Sequence, residues 1–327
     1  MNDKKVSNMK DVALLAGVSV ATVSRYLNGS LDRMSKATAL KVSDAINKLN
    51  YVPNSIARQM KTKSSKFIAV IVTNIDDYYS SGLFKGISSI LESRGYVGVL
   101  FDADSDIERE KRLLNLIGMQ MFDGVIIQTM NDATVIQNEL HKSIPIVIVD
   151  KALDNIAWPQ VITDNFNESK KATEYFINKG YQHIVVLSSE INMARSRQDR
   201  YKGILAAAGE SNVDLIEVSE ASYNHNSVRD KLESELKLSD NNLIFFLKER
   251  WLLEFFPNLV SRGYLNDKKI TATSFADTPL AKNLEPKLKL IYQNPYLMGA
   301  SSAELILSLI NNEQIKDNKI IVPAKFE

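Results

Sequence analysis

The chain has 327 residues, of which 45% are hydrophobic and 24% charged, a composition typical of globular proteins with about two domains. It contains no cysteine, which excludes disulfides, thiolate metal sites and cysteine nucleophiles. No apolar run reaches the roughly 18 residues needed to cross a bilayer, and residues 1–10 are too polar for a signal peptide, so we expect a cytoplasmic protein.

The net charge of +1 hides a strong asymmetry along the chain. Residues 1–66 hold 12 Lys and Arg against four Asp, a net charge of +8, whereas residues 67–327 hold 28 bases and 35 acids, a net charge of −7. A patterned basic module of this size attracts polyanions, and nucleic acid first among them. The sequence therefore predicts a nucleic-acid-binding module joined to a slightly acidic body.

The basic module is patterned as short helices. Asn8, Ser19 and Ser35 are each placed to cap a helix, and Gly17 and Gly29 are placed to end the first two. About three residues separate these two helices, which is the spacing of a helix-turn-helix.

After residue 66, short apolar runs alternate with amphipathic stretches. The candidate strands are 67–73, 96–101, 124–128, 145–149, 161–163, 183–189, 213–218, 243–247, 270–275 and 288–293. The helical stretches between them include 80–94, 107–119, 168–179 and 198–209. This alternation predicts two doubly wound parallel sheets, with a ligand cleft at the carboxyl ends of the strands.

Two segments of the basic module carry a specific resemblance. The strings MKDVALLAGVSVATVSRYLNG and TALKVSDAINKLNYVPNSIARQM resemble the DNA-binding headpiece of the LacI/GalR transcription regulators, in family order and spacing. The loop NGSLDRMS, together with YLNG, is similar to the branch that contains the ketodeoxygluconate regulators. The order of elements in the body is similar to the sensor domain of the same family, so the resemblance covers essentially the whole chain.

The resemblance implies an α/β protein in which an all-α headpiece and a hinge helix precede two doubly wound parallel-sheet subdomains of the periplasmic-binding-protein type. The implied domains are the helix-turn-helix headpiece (1–50), the hinge helix and linker (51–66), and the effector-binding and dimerisation domain (67–327), whose subdomains are 67–163 with 294–327, and 164–293. We expect a homodimer that binds a pseudo-palindromic double-stranded DNA operator, with no cofactor, metal or membrane partner.

The second helix of the motif is expected to enter the major groove. In this family, the positions of Val20 and Ala21 mainly choose the base sequence; here both side chains can touch thymine methyl groups only, whereas Arg25 can bind guanine with two hydrogen bonds. The other predicted DNA contacts are Thr22, Ser24 and Asn28 to phosphates, and Asn54, Ala57 and Met60 from the hinge. Met60 aligns with a leucine that the family inserts into the minor groove. Simple packing is the alternative for Val20, Ala21 and Met60.

Polar and aromatic side chains near strand ends form the predicted effector site. The predicted effector contacts are Tyr78, Tyr79, Asp102, Asp150, Asp164, Arg197, Arg200, Lys248 and Asp277. The string SRQDRYKG matches the effector-binding arginine of the family at Arg200, and an arginine fork suits a carboxylate or a pair of hydroxyls. For most of the others, the alternative is a helix cap or a surface charge.

Two departures from the family pattern change the charge of this predicted site. Lys248-Glu249 stands where the family commonly has Asn-Asp or Asn-Gly, and Ser274-Phe275-Ala276-Asp277 stands where it has Gly-Phe-Asp-Asp. Because one carboxylate is lost and one cation gained, an anionic effector is favoured. We expect a sugar acid of the ketodeoxygluconate or uronate type; the alternatives are a neutral sugar and a phosphoprotein corepressor.

The resemblance implies a sequence-specific transcription regulator, expected to repress genes of carbohydrate or sugar-acid metabolism. A solute receptor would share the body but predicts a signal peptide and no basic headpiece. The enzyme alternative lacks support, since the chain has no G-x-G-x-x-G, G-x-x-x-x-G-K-[ST] or G-x-S-x-G motif. The three histidines, His141, His183 and His225, lack metal-ligand spacing. We therefore expect a regulator and not an enzyme.

Overall fold

The computed structural model describes residues 7–52, 64–209, 212–220, 222–237, 239–264 and 269–327. The chain divides into two compact units, Met1–Ser64 and Ser65–Glu327. The predicted hinge contacts Asn54, Ala57 and Met60 lie outside the described residues. Within the described ranges, no helix is long and apolar enough to span a membrane.

The described part of the first unit contains three α-helices. They are α1 (Met9–Ala16), α2 (Val20–Leu27) and α3 (Lys36–Leu49). Val12, Val23 and Val42, one from each helix, are completely buried and form the centre of a small core. Each of the three helices therefore uses one apolar side for packing, and its other side is not needed for the core.

The predicted caps hold these helices in place. The side chain of Asn8 accepts hydrogen bonds at the start of α1, and the Asp11 carboxylate accepts one from the Asn8 N–H in return, which is a capping box. The hydroxyls of Ser19 and Ser35 each accept a 3.1 Å hydrogen bond from the backbone N–H three residues later. Gly17 ends α1 with a φ of +65°, in the left-handed region that glycine adopts readily. The predicted helix-turn-helix is confirmed.

The second unit contains two six-stranded sheets in its described part. The strands of the first sheet are β1 (Phe67–Val72), β2 (Val97–Asp102), β3 (Gly124–Ile127), β4 (Ile146–Val149), β5 (Gln160–Ile162) and β11 (Lys319–Ile321). All are parallel, in the spatial order β11-β5-β4-β3-β1-β2. The central strands are apolar runs, buried apart from the first residue of β1, because helices cover both faces of the sheet.

The second sheet repeats this plan with one exception. Its strands are β6 (His183–Ser189), β7 (Val213–Val218), β8 (Asn242–Phe246), β9 (Ile270–Ala276), β10 (Ile291–Tyr292) and β12 (Lys325–Phe326). Their spatial order is β12-β10-β9-β8-β6-β7, and β12 alone runs antiparallel to its neighbour. The prediction of two doubly wound parallel-sheet subdomains is confirmed.

Nine helices connect these strands in the described part of the second unit. They are α4 (Tyr78–Ser93), α5 (Ile107–Met119), α6 (Ala133–Leu140), α7 (Asn165–Ile177), α8 (Arg195–Ala208), α9 (His225–Glu235), α10 (Glu249–Ser261), α11 (Leu280–Leu284) and α12 (Pro295–Ile310). Three of them, α4, α7 and α8, begin two or three residues before the predicted starts at 80, 168 and 198. The first turns of α7 and α8 are too polar to continue the apolar periodicity, so the sequence pattern begins later than these two helices do.

The C-terminal segment corrects one expected boundary. Residues 294–327 were expected to belong with the first sheet, and α12 and β11 do pack on or pair with it. The last strand, β12, instead pairs with β10 of the second sheet. The strand predicted over 288–293 is shorter in the structure, where only Ile291 and Tyr292 form it. The chain thus returns to the second sheet after its crossover to the first.

Candidate functional site

The exposed face of α2 carries predicted base contacts and, at its end, one predicted phosphate contact, Asn28. Ala21, Arg25 and Asn28 are spaced four and three residues apart and are all exposed, opposite the buried Val23. Val20, at the start of the helix, is 42% exposed. These four side chains can therefore reach a ligand outside the headpiece without disturbing its core.

Two of the three predicted phosphate contacts are less exposed. Thr22 and Ser24 are half-buried. The Thr22 hydroxyl lies 2.9 Å from the hydroxyl of Ser19, and the Ser24 hydroxyl accepts a 3.4 Å hydrogen bond from the Asn28 side chain. Both hydroxyls thus already have contacts with residues that cap the helix, and their contact with DNA stays a prediction.

A cleft lies at the carboxyl ends of strands from both sheets of the second unit. Seven of the nine predicted effector residues line it: Tyr78, Tyr79, Asp150, Arg197, Arg200, Lys248 and Asp277. Other side chains that line it include Thr73, Asp77, Gln128, Lys151, Glu249, Arg250, Phe275 and Gln293. The cleft is therefore rich in charged, amide and aromatic groups.

Arg200 is rigidly held in this cleft. Its Nε donates to the side-chain oxygen of Asn165 at 2.8 Å, and its two terminal nitrogens donate to the Leu247 carbonyl at 2.6 Å and to Gln293 at 3.1 Å. The guanidinium carbon lies 3.6 Å from the centre of the Phe275 ring. Burial lowers the pKa of Arg200, yet a guanidinium remains charged at neutral pH. Three of its five N–H groups are engaged, and the others are available to a ligand.

Asp150 is oriented by the neighbouring strand ends. It adopts a φ of +67° in the turn after β4. Its carboxylate accepts a 2.8 Å hydrogen bond from Gln128, whose other side-chain atom accepts one from the Thr73 N–H. Burial and the nearby Asp150 carboxylate raise the pKa of Tyr79 well above its usual value, so the hydroxyl stays protonated. This corner of the cleft offers acceptors and donors suited to sugar hydroxyls.

Asp277 is a carboxyl group in an unfavourable environment. Its Oδ1 is buried and has no hydrogen-bond partner within the part of the chain that the structure describes. Burial, with the nearby Glu249, raises the pKa of Asp277 to about 8, so this group is mostly protonated at neutral pH. Glu249 in turn accepts hydrogen bonds from Thr278 and from the Asp277 N–H, which fixes the loop after β9.

A buried carboxylate, Glu220, connects the two halves of the cleft. It accepts 2.7 Å hydrogen bonds from Arg197 and Lys248, which belong to the same half, and one of 2.9 Å from Ser105 of the other half. Lys248 also crosses the cleft to Asp77 at 3.1 Å. Burial alone would raise the pKa of Glu220, but Lys248 and Arg197 hold it well below its usual range. These charges form a latch across the cleft, which we call the Glu220 latch.

Two predicted effector residues, Asp102 and Asp164, do not line the cleft. The Asp102 carboxylate accepts hydrogen bonds from the backbone N–H groups of Ile75 and Asp104, at 3.1 Å each. The Asp164 side chain caps α7 by accepting from Asn167. Asp164 therefore has the cap role that was the alternative for it, whereas Asp102 holds the backbone of two loops. A position near a strand end does not by itself determine where a side chain points.

The sequence analysis missed Gln128, which lines the cleft, and Glu220, which bonds to both halves beside it. Gln128 ends a predicted strand, and this position could have identified it. Glu220 carried no such signal, because its cationic partners come from distant parts of the chain. Among the described residues, no group of three or more His, Asp or Glu is arranged to hold a metal ion.

Two family models match the chain. The model for bacterial regulatory proteins of the lacI family matches residues 8–54. The model for periplasmic binding proteins and the sugar binding domain of the LacI family matches residues 65–241, more than half of the chain. The two matches fall on the two compact units.

Known proteins are similar along most of the chain. The HTH-type transcriptional regulator KdgR of Bacillus subtilis (strain 168) is 27% identical over 98% of this chain and 96% of its own length. A solved LacI transcriptional regulator from Lactobacillus brevis is 54% identical, covers 80% of this chain and 99% of that chain, and has a TM-score of 0.76. A lac repressor dimer bound to operator and an anti-inducer is 22% identical, covers 98% of both chains with a TM-score of 0.83, and supports the fold alone. The chain belongs to the LacI family of bacterial transcriptional regulators.

Proposed function

We propose that this regulator binds a specific DNA operator through α2 and that an anionic, sugar-derived effector in the cleft controls the binding. The observation that carries the proposal is the cleft itself, where Lys151, Arg197, Arg200 and Lys248 converge beside groups suited to sugar hydroxyls. A sugar acid has both features that such a cleft can recognise, a carboxylate and several hydroxyls. The effector class is a sugar acid of the ketodeoxygluconate or uronate type.

The exposed face of α2 supports the proposed mode of DNA binding. Arg25 is the side chain on this face that can form two hydrogen bonds with a guanine, and Val20 and Ala21 can contact thymine methyl groups. One headpiece makes few contacts, so we propose a homodimer that places two headpieces on a pseudo-palindromic operator. One solved relative is a lac repressor dimer bound to operator.

The charges of the cleft support an acid over a neutral sugar. Ala276 is completely buried at the end of β9, and it replaces a carboxylate that the family pattern has there. The next residue, Asp277, is mostly protonated at neutral pH. Lys248 is already paired with two acids and Arg197 with one, so Lys151 and Arg200 are the two of these four cations whose charge is left for an effector, and Arg197 can offer only its remaining N–H groups.

A neutral sugar is the second candidate effector. Three side chains that line the cleft, those of Gln128, Asp150 and Gln293, can bind the hydroxyls of an effector that has no carboxylate. One solved relative is a complex of the regulator CelR with cellobiose, although at 22% identity it supports the fold alone.

Isothermal titration calorimetry of the full chain separates the two effector classes. The titrants are 2-keto-3-deoxygluconate, D-glucuronate and D-galacturonate, with D-glucose and D-galactose as neutral counterparts of the uronates. We expect at least one acid to bind about tenfold or more tightly than the neutral hexoses, a difference of about 1.4 kcal/mol. Equal affinity for acids and hexoses would contradict the charge argument and favour the neutral sugar.

A further inference from the structure

Lys151 is a buried lysine whose ammonium group has no hydrogen-bond partner among the residues that the structure describes. It follows β4 in the turn that begins at Asp150, lines the cleft, and is only 5% exposed. Its Nζ makes no hydrogen bond to any residue within the described ranges. Burying an unpaired ammonium opposes folding by several kcal/mol, which an anion bound beside it would offset.

The acids near Lys151 are already engaged elsewhere. The Asp150 carboxylate accepts a hydrogen bond from Gln128 at 2.8 Å. Glu110, which is completely buried, accepts hydrogen bonds from the Thr129 hydroxyl and from other groups of the same loop. Both carboxylates contribute favourable charge at Lys151, but neither forms a hydrogen bond with its Nζ.

The other charged neighbours of Lys151 are cations from the opposite half of the cleft. Burial and the positive charge of Arg197 lower the pKa of Lys151 to about 8, and Lys248 acts in the same direction. At neutral pH the ammonium is still mostly protonated. Arg197 and Lys248 have Glu220 as their counter-ion, whereas Lys151 has no counter-ion in hydrogen-bond contact within the described part of the chain.

We propose that Lys151 binds the carboxylate of the effector and is therefore the residue that selects acids over neutral sugars. This inference rests on the proposed function and adds the orientation of the effector in the cleft. The carboxylate points to Lys151 and Arg197, and the hydroxyls point to Asp150, Asp277 and the free N–H groups of Arg200. A sugar phosphate would offer the same anionic oxygens, and the test below distinguishes the two sources.

The test compares Lys151→Met with the wild type and with Lys287→Met. Methionine nearly keeps the length of the side chain but removes the charge, and Lys287→Met removes the same charge from an exposed position outside the cleft. Each protein is titrated in the calorimeter with the three acids, D-glucose and D-glucose 6-phosphate. A urea melt verifies folding, and Lys151→Gln replaces the methionine variant if that variant does not fold.

We expect Lys151→Met to weaken acid binding by roughly 10- to 100-fold, in the range of a lost charged hydrogen bond. Lys287→Met should bind acids like the wild type, and weak binding of D-glucose should not decrease in Lys151→Met. The unliganded Lys151→Met protein should also be more stable than the wild type, because its buried unpaired charge is gone.

The other outcomes separate this inference from the proposed function. Equal acid affinity in Lys151→Met and the wild type overturns the role of Lys151 and leaves the sugar-acid effector intact. Binding of glucose 6-phosphate in place of the acids, lost in Lys151→Met, supports the anion site and contradicts the sugar-acid class. Failure of all anionic titrants to bind a folded wild-type protein overturns both the sugar-acid effector and the role of Lys151.

Discussion

At the scale of single residues, the cleft holds a carboxyl group whose charge is set by its surroundings. Burial and the nearby Glu249 raise the pKa of Asp277 to about 8, from a usual value of 3.8. As the pH rises from about 4, the unfolded chain loses this proton while the folded protein keeps it. The unfolded state then binds fewer protons, so stability falls with rising pH up to about 8 and levels off above it.

The Asp277→Asn variant should remove this pH-dependent loss. We expect it to raise the free energy of unfolding by about 2 kcal/mol at pH 8 and by almost nothing at pH 4. This free energy is smaller than the one that corresponds to the whole pKa shift, because the residue as a whole is partly exposed and solvent screens its charge. Urea unfolding at both pH values measures the difference, with the exposed Asp317→Asn as control. Equal stabilisation at pH 4 and pH 8 would refute the argument.

Arg25 gives a second residue-scale prediction. Arg25→Ala should lower operator affinity by roughly 1–3 kcal/mol and relax the preference for guanine at one position. Lys48→Ala removes the same charge from the exposed surface of α3 and should reduce affinity less, and equally for all sequences. Fluorescence anisotropy on operator and scrambled DNA at fixed salt compares the variants. If each variant lost the same affinity for operator DNA as for scrambled DNA, Arg25 would not recognise a base.

At the scale of elements, α4 and α12 pack at very short distance. A Cβ atom on Gly86 would lie 2.0 Å from the carbonyl oxygen of Tyr296, and one on Gly299 would lie 2.0 Å from that of Leu83. Because backbone atoms are the obstacle, the helices would have to separate to admit even a methyl group. Both helices contribute to the core of the first sheet, through Leu83 and Met298 among others.

The Gly86→Ala variant should therefore destabilise the second unit. We expect a loss of about 3 kcal/mol in the free energy of unfolding, at the upper end of ordinary overpacking. Ser81→Ala, on the exposed side of the same helix, controls for the change in helix propensity and should alter stability by about 0.5 kcal/mol at most. Thermal and urea unfolding measure both variants. A Gly86→Ala protein as stable as Ser81→Ala would show that α4 and α12 do not pack this closely.

The elements and the cleft were predictable to different extents. Caps such as Ser19 and Ser35, and the buried apolar strands, depend on neighbouring residues and could be read from the sequence. The cleft residues that were found, including Asp150 and Arg200, stand at strand ends or in a family motif. Glu220 could not be found in this way, since its partners come from distant segments and only the folded chain brings them together.

At the scale of the whole molecule, the Glu220 latch suggests how the cleft could communicate with DNA. Ser105 to Glu220 and Asp77 to Lys248 are contacts between the two halves of the second unit. An anionic effector that contacts Arg197 would compete with Glu220 for this cation, so its binding should shift the relative orientation of the halves. By linkage, the effector then changes DNA affinity by the same factor by which DNA changes effector affinity.

The most direct test of the account is a fluorescence-anisotropy titration of the full chain onto DNA from its own promoter region. The titration is run at fixed salt, with and without 2-keto-3-deoxygluconate, D-glucuronate and D-galacturonate. We predict specific binding whose affinity at least one acid changes by roughly 5- to 150-fold, the usual range of allosteric coupling. Specific binding that none of the acids alters would contradict control by a sugar acid, and absence of specific binding would contradict the proposed operator recognition.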